Sequence, residues 1–222
     1  MHALFSPCHQ IFAQKILLLY ACHTVNLKDF GVQNLVNLKE VDLAECRELI
    51  ELPDFSKAYT LESVDLSYCR SLRHVHQTIL SLGTLGYLNL HNCKKIKALE
   101  SEIHLRSLQQ LHVEGCSSLR KFSLSLENLV NLKEVDLAEC RELIELPDFS
   151  KAYNLESVDL SYCRSLRHVH QSILSLGTLG YLNLHNCKNI KAIESEIHLR
   201  SLQQLHVEGC SSLRKFSVFR SG

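Results

Sequence analysis

The sequence lacks the short motifs by which many enzymes and nucleic-acid-binding proteins are recognised. It has no Gly-x-x-x-x-Gly-Lys-[Ser/Thr] loop, and so no phosphate cradle. It also has no Cys-x-x-Cys pair of the kind that holds zinc. The 24 Lys and Arg residues balance the 24 Asp and Glu residues, and no basic run occurs. A neutral chain gives no electrostatic reason to expect a nucleic acid or an acidic membrane as partner.

Signals for secretion and membrane insertion are equally scarce. No Asn-x-Ser/Thr acceptor and no basic N-terminal region occur. The apolar stretch at residues 16–22 is too short to span a bilayer. A signal-peptide core is the alternative interpretation of that stretch. The sequence favours an intracellular protein of a reducing compartment, in the cytoplasm or the nucleus.

One repeated frame, Leu-x-x-Leu-x-Leu-x-x-Cys and its variants, dominates the sequence. It occurs at residues 38–46, 61–69, 85–93, 108–116, 132–140, 155–163, 179–187 and 202–210, and a weaker copy ends at Cys22. From Cys22 to Cys210 the frame cysteines follow one another at alternating steps of 24 and 23 residues. A fixed period in the low twenties with this pattern is typical of leucine-rich repeats.

The frame predicts the shape of each repeat. Its inner part alternates, so it forms a short strand with one buried and one solvent-facing side. One repeat cannot bury its apolar side alone, but stacked repeats share a continuous core. We therefore expect an α/β leucine-rich-repeat solenoid of about nine repeats, with a parallel β-sheet on the concave face and loops, 3₁₀ turns or short helices on the convex face. Residues 1–13 are predicted to be an unstructured segment and residues 14–222 the repeat domain.

The frame cysteines are predicted to be buried thiols. A Cys at this position behaves as a small apolar residue whose S–H can donate to the backbone where the strand ends. Neighbouring repeats would bring the cysteines close enough for disulfides, so geometry leaves that alternative open. The expected reducing compartment favours free thiols.

A block of four repeats occurs twice. Residues 34–123 reappear as residues 128–217, displaced by 94 positions, with four differences. Each difference is mild, and none falls on the frame. The block was copied in phase with the repeat, so both junctions are expected to preserve the stack.

The segment Leu-Pro-Asp-Phe-Ser-Lys-Ala, which leads into the frame at residues 52–58 and 146–152, carries a more specific resemblance. It resembles the leucine-rich-repeat region of plant intracellular disease-resistance receptors that have a Toll/interleukin-1-receptor-like domain and a nucleotide-binding domain. The resemblance covers residues 14–218. It implies a sensing and autoinhibitory region in plant innate immunity and defence. The implied partners are proteins: a pathogen effector, a guarded host protein or, in a full-length receptor, its own nucleotide-binding domain. The chain has neither of those other domains, so it is interpreted as a fragment or a truncated member.

The solvent-facing strand positions are the candidate binding surface. We expect them to form columns of neighbouring side chains, one strand spacing apart. The candidate residues are Asp42, Asp65, Tyr68, Tyr87, Asn89, His91, His112, Glu114, Asp136, Asp159, Tyr162, Tyr181, Asn183, His185, His206 and Glu208.

Catalysis is not expected on this surface, although paired carboxylates perform acid–base chemistry when a cleft desolvates them. Here Asp42 and Asp65, and likewise Asp136 and Asp159, are expected to be neighbours on an open face. The cluster around His91 and His112 could bind a metal only with a pocket around it. The sequence therefore predicts no enzyme, no cofactor and no metal. A substrate adaptor of a ubiquitin ligase, a scaffold unrelated to immunity and an enzyme remain the alternatives.

Overall fold

The computed structural model describes residues 32–101, 105–124, 129–195 and 201–218. The segment predicted to be unstructured, residues 1–13, and the strand predicted for the first repeat lie outside the described residues. The strands are β1 Glu40–Asp42, β2 Ser63–Asp65, β3 Tyr87–Asn89, β4 Ala98–Ser101, β5 Gln110–His112, β6 Lys121–Leu124, β7 Glu134–Asp136, β8 Ser157–Asp159, β9 Tyr181–Asn183, β10 Ala192–Ser195, β11 Gln204–His206 and β12 Lys215–Val218.

Eight of these strands form one parallel sheet in the order β1-β2-β3-β5-β7-β8-β9-β11. The order follows the chain, and each repeat adds one strand next to the previous one. Every pair is in register; the central residue Val41 of β1 is opposite Val64 of β2, and Val64 is opposite Leu88 of β3. The predicted parallel-sheet solenoid is therefore confirmed, with eight repeats in the described part of the chain.

Alternation within the frame explains the layered core. In β8 the central residue Val158 is fully buried, as is Leu160 just beyond the strand, whereas Ser157 and Asp159, which alternate with them, are partly exposed. The frame leucines, valines and cysteines of successive repeats join one hydrophobic cluster that runs the length of the sheet. No repeat could bury this face alone, so stacking supplies the stability.

The side opposite the main sheet holds short elements, as predicted. A 3₁₀ helix spans Val32–Asn37, and two helices of one turn each, α1 Gln77–Leu80 and α2 Gln171–Leu174, occupy equivalent places in the two copies. Two further parallel pairs, β4 with β6 and β10 with β12, were not predicted. These pairs form where the outer segment alternates, as in the exposed–buried pattern of β6. The repeats with Pro53 or Pro147 lack such a strand because proline removes a ladder donor.

The frame cysteines form the predicted row; of those in the described residues, all except the partly buried Cys210 are buried, and all except Cys46 are free thiols. Each free frame thiol of the described residues donates to a backbone carbonyl of the preceding repeat; for example, Cys163 Sγ lies 3.1 Å from the Leu137 oxygen. The thiols that make this bond are Cys69, Cys93, Cys116, Cys140, Cys163, Cys187 and Cys210. Cys46 is buried but disulfide-bonded, so the expectation that every frame cysteine is a thiol is wrong.

The differences between the two copies preserve the contacts of the fold. Thr60 Oγ1 donates to the Val36 oxygen at 3.0 Å, and the Asn154 amide donates to the equivalent Val130 oxygen at 2.6 Å. The other three pairs behave in the same way. They are Thr78 and Ser172, whose hydroxyls accept from equivalent backbone amides; Leu99 and Ile193, both 1% exposed; and Lys95 and Asn189, both exposed.

Candidate binding surface

The solvent-facing side of the eight-stranded sheet, which we call the concave face, is built from three columns of side chains. The columns are the first residue of each strand, the third residue, and the residue two positions further on. Each column runs across all eight strands because the sheet is parallel and in register. The first column is Glu40, Ser63, Tyr87, Gln110, Glu134, Ser157, Tyr181 and Gln204. The second is Asp42, Asp65, Asn89, His112, Asp136, Asp159, Asn183 and His206. The third is Ala44, Ser67, His91, Glu114, Ala138, Ser161, His185 and Glu208.

The Asp and Asn residues of the second column have a structural task that the sequence analysis missed. One side-chain oxygen of each accepts a hydrogen bond from the backbone N–H two residues later, which closes a turn where the strand ends. Asp159 Oδ1 accepts from Ser161 N at 2.7 Å, and Asn89 Oδ1 accepts from His91 N at 2.9 Å. The same bond forms at Asp42, Asp65, Asp136 and Asn183. Asp and Asn are thus interchangeable in this role.

The residue before each frame cysteine adopts a left-handed backbone. Tyr68 has φ of 61° and Asn92 has φ of 59°, while Gly115 has φ of 72°. A Cβ on Gly115 would lie 2.6 Å from Oδ1 of Asn92, so glycine makes room there for the neighbouring side chain. The candidates Tyr68 and Tyr162 occupy this column, which places them at the edge of the concave face rather than on a strand.

His91 is the centre of a hydrogen-bonded group that joins three neighbouring repeats. Its Nδ1 lies 3.0 Å from Glu114 Oε2, and its Nε2 lies 3.0 Å from the Tyr68 hydroxyl and 2.7 Å from Asn92 Nδ2. The carboxylate can only accept, so we assign a proton to Nδ1, which leaves Nε2 to accept from the tyrosine and the amide. The Tyr68 and His91 rings also meet edge to face, with centroids 4.9 Å apart.

The second copy repeats this group in a looser form. The Tyr162 and His185 rings are 5.3 Å apart, and His185 Nδ1 lies 3.8 Å from Glu208 Oε2. His206 Nδ1 is 3.9 Å from the same carboxylate oxygen. A further ring pair follows in each copy; the centroids of Tyr87 and His112 are 5.5 Å apart, and those of Tyr181 and His206 are 5.6 Å apart.

Carboxylates outnumber every other charge on the concave face. Its three columns contain no Lys or Arg, so all 24 basic residues of the chain lie elsewhere in the sequence. The acidic residues of the columns are Glu40, Asp42, Asp65, Glu114, Glu134, Asp136, Asp159 and Glu208. The net charge of the whole chain is zero, but the concave face carries an excess of negative charge.

The predicted aspartate pairs are adjacent. Asp42 is opposite Asp65, and Asp136 is opposite Asp159, on neighbouring strands. Burial raises the pKa of Asp136, and the negative charges of Asp159 and Glu114 raise it further against the lowering effect of the Ala138 N–H. Asn183 Nδ2 donates to Asp159 Oδ2 at 2.9 Å, as Asn89 Nδ2 does to Asp65 Oδ2 at 3.1 Å.

The described residues contain no group of three His, Cys, Asp or Glu side chains placed to hold a metal ion. Within the same ranges, no helix is long and apolar enough to cross a membrane. Two histidines outside the face serve the fold: His76 Nδ1 accepts from Thr78 N at 3.3 Å and caps α1, and His170 caps α2 in the same way.

The structure brings most of the predicted surface residues onto one face. The signals that the sequence analysis missed were present in residue type: Asp or Asn fills six of the eight positions in the turn-closing column, and Gly or Asn occurs in the left-handed column. Asp and Asn side chains close such turns, and Gly and Asn tolerate the left-handed backbone. The structural role was missed because these positions were interpreted only as surface residues.

Comparison with known proteins finds short stretches of similarity to plant disease-resistance proteins. No protein-family model matches the chain. It is similar to the disease resistance-like protein DSC2 of Arabidopsis thaliana, with 47% identity over 49 residues, 22% of this chain and 4% of that protein. It is similar to the disease resistance protein RPP5 of the same plant, with 42% identity over 60 residues, 27% of this chain and 4% of that protein. The predicted resemblance is thereby confirmed, although each match spans a small part of its relative.

A solved structure supplies the comparison of folds. The leucine-rich repeat domain of the type III effector XopL aligns over 84% of this chain and 66% of its own, with a TM-score of 0.50 and 21% identity. The fold is that of a leucine-rich-repeat protein. At this identity the likeness concerns the fold alone. The leucine-rich-repeat arrangement nevertheless explains why the candidate residues form continuous columns, because every repeat places the same three positions on the same side of the sheet.

Proposed function

We propose that this leucine-rich-repeat chain recognises proteins through its concave face and serves as the sensing region of a plant disease-resistance receptor. The observation that supports this most strongly is the set of in-register columns across eight strands, which provides a wide, ordered surface of tyrosine, histidine and carboxylate side chains. Aromatic side chains on such a surface are frequent binding anchors. The similarity to DSC2 and RPP5 supports the receptor context.

The proposal treats the chain as a recognition module without an enzymatic activity or a cofactor. Its partner is a pathogen effector or a guarded host protein. Within a full receptor, the repeats also bind the receptor's own nucleotide-binding domain and hold it inactive. Seven of the eight described frame cysteines are free thiols, and Cys46 alone is disulfide-bonded; the seven thiols support a site of action in the cytoplasm or the nucleus.

The test is direct binding of a panel of purified pathogen effectors to the full chain by biolayer interferometry. Tyr87→Ala and Tyr181→Ala should weaken any specific complex at least tenfold, because these tyrosines lie on the concave face. Tyr59→Ala and Tyr153→Ala are the matched controls; both side chains are exposed, at 64% and 55%, in loops that precede strands of the sheet. An effector whose binding responds only to the loop variants would refute recognition by the concave face.

A further inference from the structure

We propose that the concave face binds an extended basic polypeptide segment in two equivalent subsites, each supplied by one copy of the duplicated block. The inference rests on the proposed function and names the class of partner. The first subsite is formed by β1, β2, β3 and β5, and the second by β7, β8, β9 and β11. All three columns of the face are identical in the two subsites.

The charge of the face is not required by the fold. Asn89 and Asn183 close the same turn as the aspartates of their column, at 2.9 and 3.0 Å, without a negative charge. An asparagine at position 42 or 136 would therefore serve the fold equally well. The chain instead places two carboxylates opposite each other in each copy, and that repulsion carries an energetic cost. Departures from the locally favoured residue are expected where a site serves a ligand.

No Lys or Arg occupies the three columns. The only basic side chains there are histidines, and their ion pairs are with Glu114 and Glu208, not with the paired aspartates. The complement of these carboxylates is a cationic partner, and nucleic acid is repelled by the same charge. The tyrosines add a second preference: Tyr87 and Tyr181 lie on the same strands as Asn89 and Asn183, where a guanidinium could stack on the ring and contact a neighbouring aspartate.

The spacing of the subsites favours an extended chain. Equivalent strands are four positions apart in the sheet, which corresponds to about 19 Å at the usual strand separation. Two folded domains of about 100 residues, each with a radius of gyration of about 13 Å, cannot occupy sites so close together in the same orientation. An extended polypeptide advances about 3.3 Å per residue, so about six residues cover the distance. Six is an even number, so the two residues that meet the subsites point to the same side of the peptide.

The experiment compares two synthetic peptides of identical composition on the unaltered full chain by fluorescence polarisation. Each has four arginines in a Gly/Ser background. The period-six peptide carries them at its third, fifth, ninth and eleventh positions, and the period-five peptide at its third, fifth, eighth and tenth. We expect the period-six peptide to bind about tenfold more tightly than the period-five peptide. In the period-six peptide alone, the two arginine pairs are spaced so that they engage both subsites at once. A glutamate version of the period-six peptide should not bind.

Charge-neutralising variants assign the binding to the subsites. Glu40→Gln with Asp42→Asn alters β1 only, and Glu134→Gln with Asp136→Asn alters the equivalent β7. Each substitution keeps a side-chain oxygen, so the Ala44 and Ala138 turn bonds remain possible, and thermal melting checks the fold. Either double variant should abolish the preference for the period-six peptide. The quadruple variant should lose at least tenfold in affinity for it.

Two results would overturn the inference. Equal affinity of the two peptides for the unaltered chain would mean that charge alone attracts them, without paired subsites. Absence of binding by both would mean that the face does not serve a basic partner. Neither result refutes protein recognition as such, because an effector without a basic segment could still bind through Tyr87 and Tyr181. Conversely, if no effector of the panel binds, the comparison of the two peptides still tests whether the paired subsites exist.

Discussion

At the residue scale, the last residue of a strand and the residue that follows it differ in what they contribute to the fold. Leu160 is fully buried and belongs to the core. Asp159 is partly exposed, but it accepts from Ser161 N at 2.7 Å and from Asn183 Nδ2 at 2.9 Å. The alternation of the sequence predicted the burial of Leu160. It did not predict the turn bond, because alternation reports which face a side chain takes and not what the side chain binds there.

Substitutions at Leu160 and Asp159 should change the stability of the protein by different amounts. Leu160→Ala removes a buried side chain and should lower the free energy of unfolding by about 2–5 kcal/mol. Asp159→Ala should lower the free energy of unfolding by about 1–2 kcal/mol, because it leaves the Ser161 N–H and the Asn183 amide without an acceptor. The removal of the charge repulsion between Asp159 and Asp136 offsets part of this loss. Urea unfolding of both variants measures this. Asp159→Asn is the control: it keeps the turn acceptor and should cost less than alanine. Equal losses from alanine and asparagine would contradict the turn bond.

The raised pKa of Asp136 predicts a specific pH dependence. A carboxyl group whose pKa is higher in the folded protein binds more protons there than in the unfolded chain, so stability falls as pH rises through that window. The window begins near the ordinary value of 3.8 and extends upward, and the penalty is fully present at neutral pH. Asp136→Asn should therefore melt at a higher temperature than the parent at pH 7, and the gain should disappear near pH 3.

The reciprocal substitution checks the cause of this dependence. Asn183→Asp places a carboxylate beside Asp159 and removes the amide donor of the 2.9 Å bond. It should destabilise the protein at pH 7 and much less at pH 3, where carboxyl groups lose their charge. A gain from Asp136→Asn that is the same at both pH values would refute an electrostatic origin.

At the element scale, the row of frame cysteines unites neighbouring repeats. Each free thiol contacts the repeat before it, and burial raises the pKa of Cys69, Cys116 and Cys187 to about 12. Burial raises the pKa of Cys140 and Cys163 well above the ordinary value. The periodic spacing made this row predictable. The two outer strand pairs were less predictable from the sequence. Strands of this length form only where buried and exposed residues alternate in both partners and neither partner contains proline.

Site-resolved alkylation should reveal this row. In native buffer at pH 8 the buried frame thiols should react at least 100-fold more slowly than in urea, since thiolate is scarce and access is blocked. Among the seven free frame thiols of the described residues, Cys210 should react fastest, because it is only partly buried. Peptide mass mapping after timed quenching gives each rate. Rapid native labelling of Cys163 would contradict the buried row.

At the scale of the whole molecule, the sequence specified the fold because one period recurs with few interruptions. The same property left the binding surface underdetermined: the columns were predictable, but their segregated charge emerges only when strands far apart in the chain are placed on one face. Net charge, which is zero, gave no indication of it. The number of subsites likewise depends on the spatial distance between the copies and not only on their identity.

The duplicated block provides a test of the solenoid as a whole. Deletion of residues 34–127 joins Gln33 to Asn128 and removes 94 residues, which are four whole repeats. In a nearest-neighbour solenoid, stability is close to a sum over repeats and their interfaces. The shortened chain should keep the shape of its circular-dichroism spectrum. It should melt at a lower temperature and with a smaller denaturant slope, because less surface is buried.

A second deletion controls for the loss of length. Removal of residues 34–115 takes away fewer residues but joins Gln33 to Cys116, which puts a frame cysteine at position 34, inside the 3₁₀ helix and six residues before the place where β1 begins. The repeat at that junction cannot bury its apolar residues, so this chain should aggregate or unfold without cooperativity although it retains more of the sequence. If instead the in-phase deletion fails to fold and the full chain folds, the repeats are not independent modules. The two subsites of the concave face could then not be treated as equivalent, because each would depend on the other copy for its structure.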